Sequence, residues 1–512
     1  MTTIEYLSLS KPKRFLYKFV NFFKAIPLGI ANFFKKLPFR LRNFLKKIVR
    51  PFTNAGNIFS RGDWKTRLSF LVMGFGQITN HQKIRGFLNL IYEIGSIIYL
   101  IMVGIPQLAL LPTFGNIASV QYDIDTKPYT GYIYMDDSFI ILLYAIITIL
   151  VILIFIYLWF SQINEAFDLQ EEKMIGHLRS DKETLNDLTG RNYHKVLLAI
   201  PTFGLVIFTI IPLIFMILVG FTNYNSNYMN PKELYDWIGL NNFSRLVGLT
   251  GEGGNQFVGV FLQILLWTLV WAFFATFTNY FLGMIVALMI NRKGIKFKKL
   301  WRTVLITTIA VPQFVSLLLL SKFLNTDLGA MNVILRQLGW ITQNVKFLDD
   351  GNIAKVTIII VNIWIGIPYT MLICTGLLMN IPSDLYESAK IDGASPYKMY
   401  MRITLPYMLF VTGPYLISSF VGNINNFNVI YLLSGGGPVF TNVNGVAITT
   451  NVFGAGQTDL LITWLYKIAM GEVFKDYGVA SVIGMVVFVI VAFISLIFYG
   501  RSNAVKNEED FQ

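Results

Sequence analysis

Cysteine is almost missing from this chain. Cys374 is the single thiol, which excludes disulfides within the chain and leaves a thiolate metal site without ligands. Histidine is nearly as scarce: His81, His177 and His194 lie far apart with no metal-ligand spacing, so they read as surface residues and no metal is expected. Charged residues make up only 14% of the chain against 54% hydrophobic, with a mean hydropathy of +0.56 over 512 residues. No ordinary water-soluble globule has that balance. A G-x-x-x-x-G-K-[ST] loop is absent, as is any Gly-Lys dipeptide, so the chain has no phosphate cradle and no nucleotide chemistry of its own. Carboxylate pairs or histidines placed for catalysis at a membrane face are lacking too. That argues against a membrane-embedded glycosyl-transferring or lipid-modifying enzyme, the main enzymatic alternative.

What is present in quantity is apolar sequence in long runs. Spanning a bilayer takes roughly 20 apolar residues, and eight segments qualify, at about 87–111, 138–160, 196–221, 257–290, 303–323, 353–380, 407–433 and 479–500. An all-α integral membrane protein of about eight transmembrane helices is the expectation. Pro106, Pro212, Pro368, Gly413 and Pro414 fall inside these runs, and spanning helices tolerate such residues when neighbours satisfy the freed backbone groups.

The positive charge is local. Residues 1–86 hold seventeen Lys/Arg against two acids, Glu5 and Asp63, while the other 426 residues sum to −2. A nucleic-acid partner is therefore not implied. Lys and Arg mark cytoplasmic loops, so residues 1–86, the loop 291–302 with its six basic residues, and the loop carrying Lys390, Lys398 and Arg402 belong inside. Both termini are then expected in the cytoplasm of a multi-pass protein, with 112–137 and 222–256 on the opposite side. Segment 161–195, with five basic and seven acidic residues, goes inside only by the count of spans. The first apolar stretches carry no signal-peptide pattern. Residues 1–86 form a basic extension with an eleven-residue repeat, Asn21-Phe22-Phe23-Lys24, Asn32-Phe33-Phe34-Lys35 and Asn43-Phe44-Leu45-Lys46. That interval is close to three helical turns. It predicts basic amphipathic helices lying on an anionic lipid surface, chiefly through residues 1–50.

Ionisable residues deep in spans mark ion pathways, and these spans are nearly free of them; Glu93 is the exception and reads as structural, while Lys322 and Lys355 sit at span ends where snorkelling suffices. Coupling to an ion gradient is therefore not expected. The spans do carry neutral hydrogen-bonding groups beside rings. Ser419, Asn423 and Asn426 recur at i, i+4 and i+7, one face of a helix. Amides there suit the hydroxyls of an uncharged sugar, with Trp364, Tyr369, Phe420, Phe427 and Tyr431 available to cover its apolar faces. The same residues could equally serve as glue between helices.

One stretch looks built to engage another protein: Glu387 to Pro406, ESAKIDGASPYKMYMRITLP, between the sixth and seventh runs. Its Glu387, Ser388, Ala389, Asp392, Gly393 and Ala394, followed by Ile403, Leu405 and Pro406, resemble the EAA loop of ATP-binding-cassette (ABC) importer permeases, with Ser388 in place of one alanine. The flanking runs Asn362 to Pro382 and Ser418 to Pro438 are similar to the larger maltose/maltodextrin permease subunits of that family. The resemblance covers about Val196 to Gly500 and implies a type I importer permease core over 196–500. Two accessory helices and a cytoplasmic loop would occupy 87–195, with a cytoplasmic tail over 501–512. It further implies a bacterial cell membrane location and transport of oligosaccharides of the maltose/maltodextrin type, a self-sufficient facilitator being the alternative. Implied partners are a second homologous permease, two copies of a cytosolic ATPase holding all ATP-Mg, and an extracytoplasmic sugar-binding protein. The chain itself would be no enzyme and would carry no cofactor.

The family's sugar site falls by resemblance on Ile365, Gly366 and Tyr369 of the sixth run and on Ser419, Gly422, Asn423 and Asn426 of the seventh. Gly422 departs from the pattern, standing where the resembled permeases have an aromatic ring, and leaves sugar length and linkage open. The ATPase would dock on Glu387, Ser388, Ala389, Asp392, Gly393 and Ala394, with Gly393 turning the chain and Glu387 and Asp392 giving caps or ion pairs at that contact. Loop 222–256 is also short where enterobacterial-type permeases insert a domain, which implies a single-membrane bacterium. The SGGGP turn opens a Gly/Asn-rich outer loop, 434–456, expected to be flexible.

Overall fold

The computed structural model describes residues 49–117, 136–176, 179–230, 232–248, 254–292, 294–443, 445–448, 452–471 and 475–499, with isolated positions beside them. The eleven-residue repeat and the 501–512 tail lie outside the described residues. The fold is helical, with only two-residue strand pairs besides. Among the described residues six unbroken helices are long and apolar enough to cross a membrane: Lys83–Leu110, Ser138–Met174, Tyr193–Val219, Asn255–Asn291, Gly351–Leu378 and Tyr477–Leu496. Two bent pairs bring the spans to eight, the fifth as Lys298–Ala310 and Gln313–Phe323 at 86°, the seventh as Pro396–Val411 and Gly413–Ile424 at 62°.

The eight runs are thus all helical, but two are not single rods. In the fifth span a 3-10 turn, Thr308–Ala310, runs into extended Val311 and then Pro312, which has no N–H to continue the ladder. In the seventh, Gly413 and Pro414 restart the helix after Thr412. A further break at Asn425 separates the helix Phe427–Leu433 from it. The expected single segment 407–433 is therefore three pieces.

The chain divides into two compact units, residues 1–109 with 143–211 and residues 110–142 with 212–512. In the first unit the second span continues as helix to Met174 rather than ending near 160, and residues 62–82 fold against that extension. Gln162 donates through Nε2 to Ser69 O at 2.7 Å, Gln77 Nε2 donates to Gln162 O at 2.8 Å, and the Thr66 hydroxyl donates to Gln170 Oε1 at 2.8 Å. Burying amides is tolerable because they satisfy one another. Glu93 belongs to this packing: its Oε2 accepts the Met73 N–H at 2.9 Å. This part of the extension, beyond the repeat, is a folded element packed on the second span.

In the second unit the fourth span, Asn255–Asn291, lies along the sixth, Gly351–Leu378. Lipid tails are as apolar as leucine, so helices inside a bilayer associate through close packing and small residues. Gly283 and Gly366 provide the close approach: a Cβ on Gly283 would sit 2.2 Å from Thr370 Oγ1, and one on Gly366 would sit 2.2 Å from Asn279 Nδ2. Two cores flank this crossing. One gathers Trp267, Trp271, Leu317, Ile358 and Ile430; the other gathers Tyr280, Met284, Cys374, Met408 and Leu416. Between them they seat the seventh span's short helices against the fourth and sixth.

Candidate functional site: a neutral seam and an exposed loop helix

The sixth span presents Asn362, Ile365, Gly366 and Tyr369 at i, i+3, i+4 and i+7, one helical face. Trp364 is not on it. It belongs to a stripe with Val356 and Ile360 on the other side, each about 60% exposed, so Trp364 and Tyr369 face away from one another on the sixth span.

From the seventh span comes the helix Gly413–Ile424, carrying Ser419, Gly422 and Asn423. Asn426 is not on that helix, contrary to the one-face expectation. The helix ends at Ile424, and Asn426 instead caps Phe427–Leu433, its Oδ1 accepting from Val429 N at 3.3 Å. The turn still brings it back: Asn426 Nδ2 donates to Asn423 Oδ1 at 3.3 Å, and Asn423 Nδ2 donates to Thr276 Oγ1 at 2.9 Å. A Cβ at Gly422 would meet nothing within 4 Å, so the missing ring leaves open space.

The fourth span grips this helix at both ends. The Tyr280 and Thr412 hydroxyls are 2.7 Å apart at its start, and the Trp271 indole donates to Asn423 O at 3.1 Å at its end, satisfying a carbonyl that helix termination orphans. Asn362 Nδ2 and Asn279 Oδ1 are buried without a hydrogen-bond partner among the described residues. A buried donor and acceptor left unpaired cost free energy, so they add unspent capacity to the seam. Sequence reasoning passed over Asn362, Asn279 and Thr276, although applying the 3.6 period from Gly366 and Tyr369 backwards reaches Asn362. No seam residue is charged. Beyond Asn426, Phe427 stacks on Tyr431 at 4.7 Å between centroids, and Tyr466 stands edge-on to both.

The loop between these spans folds into a tight corner. Helix Ser383–Ile391 carries Glu387, Ser388 and Ala389 and ends in a Schellman turn, with Gly393 at φ +68°, Gly393 N donating to Lys390 O at 3.0 Å and Ala394 N to Ala389 O at 2.9 Å. Glycine takes that left-handed conformation without a Cβ penalty. Ser395 then caps the next helix by accepting Lys398 N, with Pro396 at the first helical position. Glu387 and Asp392 do not cap. Asp392 sits at the C-terminal end of its helix, where a carboxylate has no orphan N–H to accept from, and neither side chain pairs with another described residue. Around them Leu385, Tyr397 and Ile391 are exposed, Ile391 at 87%. The Tyr386 and Thr404 hydroxyls, 2.8 Å apart, tie this helix to the start of the seventh span.

The SGGGP turn is pinned rather than flexible. Thr458 N donates to Gly436 O at 3.1 Å and Gln457 N to Pro438 O at 2.7 Å. Fully buried Asp459 accepts from Gly456 N, Thr463 Oγ1 and Lys467 Nζ, all within 2.9 Å. Burial pushes its carboxyl above the ordinary range, with Lys467 pulling it back.

Residues 279–503 match the family of binding-protein-dependent transport system inner membrane components. The chain is 32% identical over 457 residues to the maltodextrin transport system permease protein MalC of Streptococcus pneumoniae, covering 87% of this chain and 97% of that one. It is 32% identical over 375 residues to the galactooligosaccharides transport system permease protein GanP of Bacillus subtilis, covering 73% and 85%. With the maltose/maltodextrin transport system permease protein MalF of Escherichia coli it shares 36% identity over 260 residues, covering 51% and 48%. Both the multi-pass apolar helices and a relative matched over nearly its whole length lead to one assignment: this chain belongs to the binding-protein-dependent transport system inner membrane components, as a membrane permease subunit.

Proposed function

We propose that this chain is the larger permease subunit of an ABC importer that carries neutral oligosaccharides of the maltodextrin type into a bacterial cell. The observation that carries the substrate class is the uncharged seam, in which Asn423, Asn426, Ser419 and the unpaired amides of Asn362 and Asn279 offer donors and acceptors beside Tyr369. Sugar hydroxyls can take up that capacity without neutralising a charge. The names of two relatives above point to maltodextrins and one to galactooligosaccharides, and the open space at Gly422 favours a longer chain over a disaccharide.

In this reading the exposed helix Ser383–Ile391 enters a cleft on a cytosolic ATPase, using Glu387, Ser388, Ala389, Asp392, Gly393 and Ala394. Two ATPase copies hold all Mg-ATP, a second homologous permease completes the pathway, and an extracytoplasmic binding protein delivers the sugar. Closure of the ATPases rotates the permeases and exchanges the seam's access between sides. The distribution of Lys and Arg supports cytoplasmic termini.

The test is ATP-dependent uptake of labelled glucans and galactans of graded length into vesicles holding the chain with its candidate partners. The reading expects uptake of maltodextrins only with ATP, ATPase and binding protein together. Equal flux without ATP would make the chain a facilitator, and preference for galactans would discard the maltodextrin assignment while keeping the importer.

A further inference from the structure

The helix formed by residues 49–61 lies across the second span just where that span stops being apolar. From Phe139 to Phe160 the span is an almost unbroken apolar run; Ser161, Gln162 and Asn164 follow at once. Tyr157, Trp159 and Phe160 close the run, as rings do at the boundary between hydrocarbon and headgroups. The crossing helix is fixed there by buried Ala55 and Ile58 and by the Phe52 ring edge-on to Phe160 at 4.8 Å. A cavity of about 780 Å³ opens between the two elements.

The chemistry of that cavity has one sign. Arg50, Asn54, Asn57, Ser161 and Asn164 line it, and no carboxylate does. Part of the polar set is spent on the wall itself, since Asn54 Nδ2 donates to Asn164 Oδ1 at 2.6 Å and Asn164 Nδ2 to Phe160 O at 2.7 Å. The Arg50 guanidinium, the Asn57 amide and the Ser161 hydroxyl have no partner among the described residues. One permanent cation and two neutral donors converge on a space floored by aromatic carbon, at the depth where a phosphate ester meets its acyl chains.

We infer that this groove is a binding site for the phosphate headgroup of an anionic phospholipid, with Arg50 as the charged contact, Asn57 and Ser161 as hydrogen-bond donors, and Tyr157 and Phe160 against the glycerol and upper acyl carbons. A free phosphate offers the same anionic oxygens but no apolar portion for the rings, so the lipid is the occupant. The site lies among the basic residues 1–86 and would select a lipid individually, beyond the general attraction of that segment to a charged surface.

The full-length chain, taken from vesicles of equimolar phosphatidylglycerol and phosphatidylcholine, is examined by native mass spectrometry for retained lipid. The expected result is a retained phosphatidylglycerol in preference to phosphatidylcholine. Arg50→Gln lowers that retention about fivefold, the worth of one cation near an anionic headgroup. Arg61→Gln, on the same helix but outside the groove, leaves it unchanged. Ser161→Trp, which fills the space without touching the charge, also lowers it. Equal retention of the two lipids, or equal retention by the Arg50 and Arg61 variants, would overturn the inference. So would release of the lipid by millimolar inorganic phosphate, which would assign the groove to a free anion.

Discussion

The helix Ser383–Ile391 and the neutral seam use their polar side chains in opposite ways. On the helix Ser383–Ile391 the carboxylates of Glu387 and of the adjoining Asp392 stand in the open among exposed Leu385, Ile391 and Tyr397, and the corner they sit on is made by Gly393, Ser395 and Pro396 instead. In the seam the polar groups are neutral and partly spent on one another, from Thr276 to Asn423 to Asn426, with two amide atoms left over. A surface for a protein partner can leave charge in water until the partner arrives, at little cost. A polar seam inside a membrane cannot, because an unpaired charge there is expensive; it keeps neutral groups and lets most of them satisfy one another.

That contrast is broken most severely by Glu387→Lys. Reversing the charge on the docking helix is expected to reduce ATP-dependent uptake to background while binding-protein-delivered sugar still reaches the permease; uptake within twofold of the parent would sink the docking assignment. Next comes Gly366→Val, which drives a branched side chain into Asn279 across the fourth and sixth spans. Overpacking of this kind costs about 1–3 kcal/mol, read as a lower melting temperature of the solubilised chain, with ATPase association unchanged. Asn423→Ala removes the bonds to Thr276 and Asn426 and is expected to raise the KM for sugar about tenfold, a loss of about 1.4 kcal/mol, with little change in stability. An unaltered KM would make Asn423 a structural contact only. The mildest change is Gly422→Phe. The open space admits a ring, so the fold should tolerate it, and competition between short and long glucans should shift toward the short.

Much of the architecture was legible because apolar length is a property of the segment itself, and all eight runs are helical. The breaks were legible only where the chemistry is local. Pro312 and the pair Gly413-Pro414 coincide with interruptions, but Pro106, Pro212 and Pro368 lie in helices that run on, and Asn425, where the face expected of Ser419, Asn423 and Asn426 lost its last member, carries no comparable signal. The corner after Ile391 could be read from Asp-Gly-Ala-Ser-Pro, since each residue has one backbone task. Residues 62–82 could not. Their polar groups are buried by pairing with Gln162 and Gln170, 85 to 104 positions away, and no local periodicity records such a partner. The SGGGP turn misled for the same reason: its glycines imply freedom, and Asp459 and Thr458 take that freedom away.

The helix Gly413–Ile424 has one more consequence. Its twelve residues make a piece about 18 Å long, jointed to the chain at Thr412 and again at Asn425, yet pinned near both joints to Tyr280 and Trp271 of one neighbouring span. Such a part behaves as a connecting rod. Under the proposed coupling, thrust entering through Tyr386 and Thr404 would turn it as a unit about its joints, carrying the Ser419, Gly422 and Asn423 face along with the fourth span. In the transport cycle proposed above, the sugar's contacts would pass from one side of the membrane to the other intact, and the work would be done at the joints, not in the grip.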